Sequence, residues 1–262
     1  MKAVILAGGK GTRLAPYTTV FPKPMLPIGG KPILEIIIKQ LAFHGFKTVV
    51  LSVGYLAEII QAYFRSNGDL PEDVTIQYVR EKKPLGTAAP VALIPDLDES
   101  FLVMNGDILT TLDYSELMAF HKENGALLTI AVCSKKVKMN LGIVEFGDDK
   151  RVTGYVEKPT YTFNDSMGIY VYEPEVMNYI TPGVYMDLPT LIYRLLEKGQ
   201  KVLAYRSARR YYWIDMGRHE DYEEAQIVYE KRKDEFVPNR AKIEIRQIEK
   251  RRERKKTEMA LD

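Results

Sequence analysis

Apolar residues fall into short, unbroken runs along the first half of the chain, each followed by a longer stretch with helical spacing. AVILA, KTVVLSV, VTIQYV, FLVMN and LLTIAV predict strands; ILEIIIKQLAFHG, LAEIIQAYFRS, TAAPVALI and SELMAFHKEN predict helices. Strands that are apolar at every position, rather than at every second one, are buried on both faces. A mainly parallel sheet covered by helices on both sides provides that burial. Ligands of such sheets bind outside the carboxyl ends of the strands. The glycine loop after AVILA and the NGD that closes FLVMN both land on that edge.

From Gly142 the rhythm changes. GIVEF, VTGYVEK and MGIYVYE predict shorter strands with charged and glycine punctuation, and helices between them are sparse. TPGVYMDLPTLIYRLLEKG predicts one more helix, stopped at Gly199. After Tyr222 the chain reads as continuously helical and charged. The expected organisation is one unit over residues 1–235, with halves of about 1–135 and 136–235, and a charged helix or tail over 236–262. In that tail glutamates interleave with the lysines and arginines, the pattern of a solvated helix and not of a nucleic-acid-binding arm.

The 262 residues carry a formal net charge of +2 and are 46% hydrophobic, so bulk charge gives no case for a nucleic-acid partner and a sizeable core is affordable. A single cysteine, Cys133, excludes an internal disulfide and reads as a buried small hydrophobe. AVILA is too short for a signal sequence, and no run approaches a membrane span of ~18 apolar residues. A cytoplasmic location without membrane attachment is the expectation. His44, His121 and His219 show no metal-ligand spacing and read as structural.

The densest chemistry lies in MKAVILAGGKGTRLAPYTTVFPKPMLPIGGKPILE. A strand opening into Gly8, Gly9 and Gly11 lets backbone N–H groups approach a polyanion without a Cβ in the way. Arg13, Lys23 and Lys31 follow as three cations, and Lys23 is held stiff between Pro22 and Pro24. The loop is no P-loop, because the position five after Gly8 is Arg13. The dinucleotide fingerprint fails as well: Leu14 stands three after Gly11 where a glycine is needed. GKP before ILE also serves as an ordinary loop leading into a helix, which leaves the role of Lys31 open.

GGxGTRLxPxT, PKPMLPI and GKPILE resemble the signature of the sugar-1-phosphate nucleotidyltransferases. The resemblance continues through PLGTA (84–88), NGD (105–107), VEKP (156–159), GIY (168–170) and WIDMG (213–217), and so covers residues 1 to about 230. It implies a Rossmann-like, mainly parallel mixed sheet with helices on both faces, a nucleotide-binding first half and a sugar-binding second half. Some related enzymes continue into a left-handed β-helix; this sequence has no hexapeptide repeat, and none is expected.

The implied reaction is NTP plus sugar-1-phosphate giving NDP-sugar and pyrophosphate, dependent on Mg²⁺. Leu6, Ala7, Gly8, Gly9, Gly11, Thr12, Arg13 and Lys23 would hold the nucleotide with Glu81, Pro84, Gly86, Thr87 and Gly106. Arg13 and Lys23 would steady the triphosphate, since guanidinium and ammonium donors match phosphate oxygens. Asp107 and Asp215 would hold the metal. Gly142, Glu157, Lys158 and Gly168 would bind the sugar phosphate, with Lys158 screening one anion as it approaches another.

PLGTA followed by AP, together with WIDMGRHEDYEEAQ, is closest to the mannose-1-phosphate guanylyltransferase pattern and implies GTP with mannose-1-phosphate. Other pairs stay open: dTTP, UTP or CTP with a hexose-1-phosphate, or GTP with a heptose- or glucosamine-1-phosphate. Many relatives carry asparagine two residues before the GIY glycine, where this chain has Ser166. A regulatory subunit that binds nucleotide sugar without turnover is the reading from another class. Homo-oligomerisation stays open.

Overall fold

The computed structural model describes residues 1–66 and 69–237. The first half runs β1 (Lys2–Ala7), β2 (Pro27–Ile28), β3 (Lys31–Pro32), α1 (Ile33–Phe43), β4 (Thr48–Val53), α2 (Ala57–Ser66) and β5 (Thr75–Arg80). It continues with β6 (Phe101–Asn105), β7 (Ile108–Thr110), α3 (Tyr114–Asn124) and β8 (Leu128–Lys138). The second half adds β9 (Ile143–Phe146), β10 (Val152–Val156), β11 (Thr160–Tyr172), α4 (Leu188–Glu197), β12 (Val202–Tyr205), β13 (Trp213–Asp215) and α5 (His219–Phe236).

Seven strands form the main sheet in the order β12-β8-β11-β6-β1-β4-β5. β1 is parallel to β4 and β6, β4 to β5, and β8 to β12. Only β11 runs the other way, antiparallel to both β6 and β8. The mainly parallel mixed sheet expected from the apolar runs is therefore present.

Alternate residues of β1 enter two cores. Ala3, Ile5 and Ala7 join the core that contains the apolar residues of α1, α2, α3 and α5. Val4 joins the other, built with Leu188, Leu191 and Leu195 of α4 and the turn at 89–93. In α1, Ile33, Leu34, Ile36, Ile37, Ile38 and Leu41 are all fully buried, so this helix is covered nearly all round. Each such side chain contributes about 1.5–3 kcal/mol by leaving water.

Several elements differ from the sequence expectation. TAAPVALI forms only a 3₁₀ turn over Ala89–Leu93. Pro90 has no N–H to give, and the N–H groups of Ala88 and Ala89 donate instead to Met186 O, at 3.0 and 3.2 Å. MGIYVYE is the end of a 13-residue strand, β11, whose first half pairs with the extension of β8. Its register shifts between Ser166 and Tyr170, where Gly168 takes a φ of +70°. The helix expected from TPGVYMDLPTLIYRLLEKG starts only at Leu188, with Pro189 in its first turn. Cys133 is half-buried, not buried, because it sits where β8 passes from its buried first half into the exposed stretch that pairs with β11. α5 ends at Phe236, and the charged segment expected beyond it lies outside the described residues from 238 onward. Among the described residues, no helix is long and apolar enough to cross a membrane.

Candidate active site

β1 has β4 on one side and β6 on the other, so the chain changes direction of travel across the sheet at the ends of β1 and β6. A cleft of about 450 Å³ opens there. Gly106 N–H donates to Leu6 O at 3.0 Å and ties the two strand ends together. After β1 the backbone passes Gly8 and Gly9 and turns at Gly11, whose φ of +63° suits glycine. A Cβ on Gly11 would lie 3.0 Å from Lys23 Cβ, so the glycine also permits the loop to close on Lys23. Leu14 is fully buried and anchors the 3₁₀ turn Thr12–Leu14, which leaves Arg13 at the cleft. Leu6, Ala7, Gly8, Gly9, Gly11, Arg13 and Lys23 all line it; Thr12 does not.

The opposite wall carries Glu81, Pro84, Gly86 and Thr87. Ser52 Oγ donates to Glu81 Oε1 (3.1 Å) and Leu85 N–H to Oε2 (3.2 Å). Burial pushes the Glu81 carboxyl up, and these two hydrogen bonds oppose it. The segment is clipped to the start of α4: Met186 N–H donates to Leu85 O at 2.9 Å, and Leu188 N–H to Thr87 Oγ1 at 2.9 Å. That clip brings in two cleft residues absent from the sequence motifs, Tyr185 and Asp187, the tyrosine hydroxyl donating to Asp187 Oδ2 at 2.8 Å. Asn105 lines the cleft as well. NGD pointed to it; nothing local marked Tyr185.

Asp107 lines the floor; Asp215 does not line the cleft but meets the same lysine as Asp107. Asp107 follows β6, and β7 pairs antiparallel with β13 so that Ile108 stands opposite Asp215. Met216 N–H donates to Asp107 O at 3.1 Å and fixes the approach. The buried Lys23 ammonium bonds Asp107 and lies 3.8 Å from Asp215 Oδ1. Burial, then the Asp107 charge, pushes the Asp215 carboxyl up, while Lys23 and Arg13 pull it down. Oδ1 of Asp107 and Oδ1 of Asp215 are both buried without a hydrogen-bond partner. Orphaned oxygens on two carboxylates that approach one ammonium suit a divalent cation. No cluster of three or more His, Cys, Asp or Glu exists among the described residues that could hold a metal. Two carboxylates are nonetheless within the one or two that Mg²⁺ takes when water and substrate phosphates complete its shell.

The residues expected at the sugar fall into two places. Gly142, Glu157 and Lys158 meet on the exposed β9–β10 ribbon and do not line the cleft. Tyr155 OH donates to Glu157 Oε2 at 2.8 Å, and Lys158 Nζ lies 3.6 Å from Glu157 Oε1. Gly168 stands apart from them, against the Asn105 side chain. Lys31 is committed elsewhere, at 2.9 Å from both Glu35 and Asp69, in a network that Lys39 and Tyr63 complete. Of the histidines, His121 is buried between Thr129 and Glu173.

A nucleotide-sized cleft at the switch point, with a glycine loop, Arg13, Lys23 and Asp107 along it, suits phosphate chemistry. The chain belongs to the Nucleotidyl transferase family, which it matches over residues 2–232. It is 35% identical over 245 residues to the UTP–glucose-1-phosphate uridylyltransferase of Synechocystis sp., covering 86% of this chain and 62% of that one. It is also 35% identical over 228 residues to the mannose-1-phosphate guanylyltransferase of Mycobacterium tuberculosis, covering 84% of this chain and 62% of that one. The chain thus spans less than two thirds of the length of these curated relatives. The crystal structure of HddC from Yersinia pseudotuberculosis superposes with a TM-score of 0.66 at 28% identity, over 87% of this chain and 99% of that one. Its complex with GMP-PN superposes with a TM-score of 0.63.

Proposed function

We propose that this chain transfers a nucleotidyl group from an NTP to a sugar-1-phosphate, releasing pyrophosphate, with GTP and mannose-1-phosphate as the leading pair. The observation that carries the reading is the convergence of Arg13, Lys23 and Asp107 on one cleft beside the glycine loop, with Asp215 3.8 Å from the same Lys23 ammonium. Support for guanine comes from the guanylyltransferase relatives and from the GMP-PN complex of HddC. Uridine is the second reading, favoured by the Synechocystis relative.

The glycine loop offers N–H groups to the triphosphate, and Arg13 and Lys23 carry the charge that moves onto pyrophosphate. An oxygen of the sugar phosphate attacks the α-phosphorus in line; one P–O bond forms as the bond to pyrophosphate breaks. That oxygen is already an anion, so no general base is required. Lys158, on its ribbon, screens the incoming phosphate. Asp107 and Asp215 would hold Mg²⁺, which when bound neutralises phosphate charge.

The test is pyrophosphate release with Mg²⁺ across GTP, UTP, dTTP, CTP and ATP against mannose-, glucose-, glucosamine- and heptose-1-phosphates. Turnover concentrated in the GTP and mannose-1-phosphate cell is the expected result. Silence in every cell with nucleotide sugar still bound would favour a regulatory subunit, and a trapped nucleotidyl-enzyme would overturn direct transfer.

A further inference from the structure

A second cavity of about 370 Å³ adjoins the cleft at Thr87 and Asn105, which line both. Leu188, Pro189, Ile192 and Tyr193 of α4 form one wall, and Ser166 and Tyr170 of β11 the other. The hydroxyls that reach it are largely engaged with one another. Ser166 Oγ and the Tyr170 hydroxyl lie 3.0 Å apart, and Gly168 N–H donates to Ser166 Oγ at 3.3 Å. Thr87 Oγ1 accepts the Leu188 N–H at 2.9 Å. Apart from the Tyr193 hydroxyl the α4 wall is apolar, so a sugar hydroxyl turned toward Leu188, Pro189 and Ile192 exchanges water for no partner.

The cleft places the cations at one end, by Gly11 and Lys23, and Glu81 against Gly8. The chamber, which shares Thr87 and Asn105 with this cleft and has no charged side chain in its lining, is left for the part of the acceptor beyond its phosphate. We propose that the chamber receives a methyl group of the acceptor sugar. The preferred substrate is then the 1-phosphate of a methyl-bearing sugar, either a 6-deoxyhexose or an acetamido sugar. This inference rests on the nucleotidyl-transfer reading and places a methyl-bearing acceptor ahead of the mannose-1-phosphate of the leading pair. Apolar pockets that recognise one methyl or methylene discriminate by about 10- to 200-fold.

The test measures kcat/KM with GTP and with UTP, in the presence of Mg²⁺, for two matched pairs. These are 6-deoxymannose-1-phosphate against mannose-1-phosphate, and N-acetylglucosamine-1-phosphate against glucose-1-phosphate. At least one methyl-bearing acceptor is expected to exceed its parent by about 10-fold or more, and the pair that shows it identifies which methyl is bound. Ile192→Gln, with Ile192→Thr as the milder change, should bring that ratio toward unity while leaving the KM for the nucleotide unchanged. Turnover of the parents with no advantage for either methyl-bearing sugar overturns the chamber assignment and leaves nucleotidyl transfer standing. Silence with all four acceptors overturns both.

Discussion

Asp107 and Asp215 come from opposite halves of the chain yet share one ammonium: Lys23 bonds the first and lies 3.8 Å from the second. The arrangement leaves one buried oxygen of each carboxylate without a hydrogen-bond partner. Asp107→Ala is expected to lower turnover by at least ~100-fold, the scale of losing one well-placed electrostatic group. Asp215→Asn should lower turnover too, yet raise the melting temperature at pH 7 without added metal. A carboxyl pushed up by burial favours folding while protonated and loses that contribution as pH rises through its folded pKa. Parallel assays of pyrophosphate release and thermal melting check both; near-normal turnover in Asp107→Ala would remove it from the site.

Gly86 takes a φ of +86°, and a Cβ there would lie 2.5 Å from Met186 O. Gly86→Ala therefore strains the backbone and pushes the nucleotide wall away from the start of α4. The strain alone costs on the order of 1–3 kcal/mol. Urea denaturation should show that loss, together with a raised KM for the nucleotide. Unchanged values of both would mean that the clip between the two segments is loose.

Much of this was legible in the sequence because strand, loop and cation follow one another locally. β1, its glycine loop and Arg13 occupy consecutive positions, and β6 leads straight into Asp107. Tyr185 and Asp187 were not legible: they reach the cleft through backbone pairing with Leu85 and Ala88, which no local pattern encodes. The reversal of β11 was hidden for a similar reason. Its first half, TYTFNDS, is mostly exposed and pairs with an equally exposed stretch of β8, so burial leaves no apolar run to read. TAAPVALI misled because its spacing is helical while Pro90 and the competing acceptor at Met186 decide the backbone.

His121 is fully buried, with Nδ1 2.7 Å from Thr129 Oγ1 and Nε2 2.9 Å from Glu173 Oε1. Burial holds its pKa below the ordinary imidazole value, and the Glu173 carboxylate only partly opposes this. A depressed histidine contributes stability that is present above the unfolded pKa of about 6.5 and is lost as pH falls through the folded one. Stability to urea should therefore decline on acidification below pH ~6.5. His121→Gln should be less stable at pH 7 but show a flatter slope over that range. An identical slope in the variant would assign the acid sensitivity to other groups.

Lys158 offers a separation of function from stability. Its side chain is 58% exposed on the β9–β10 ribbon, and among the described residues its one ion pair is a 3.6 Å contact with the equally exposed Glu157. An exposed pair of this kind contributes about 0–1 kcal/mol, so Lys158→Met should leave the melting temperature nearly unchanged. If the ribbon brings Lys158 to the acceptor phosphate, the same change removes a charge-assisted hydrogen bond worth about 1.5–3 kcal/mol. The KM for the sugar-1-phosphate should then rise by roughly 10- to 100-fold, while the KM for the nucleotide stays constant. Lys158→Arg keeps the charge and should restore part of the loss. Equal KM values for wild type and Lys158→Met would take the ribbon lysine out of acceptor binding and leave that task to residues of the cleft.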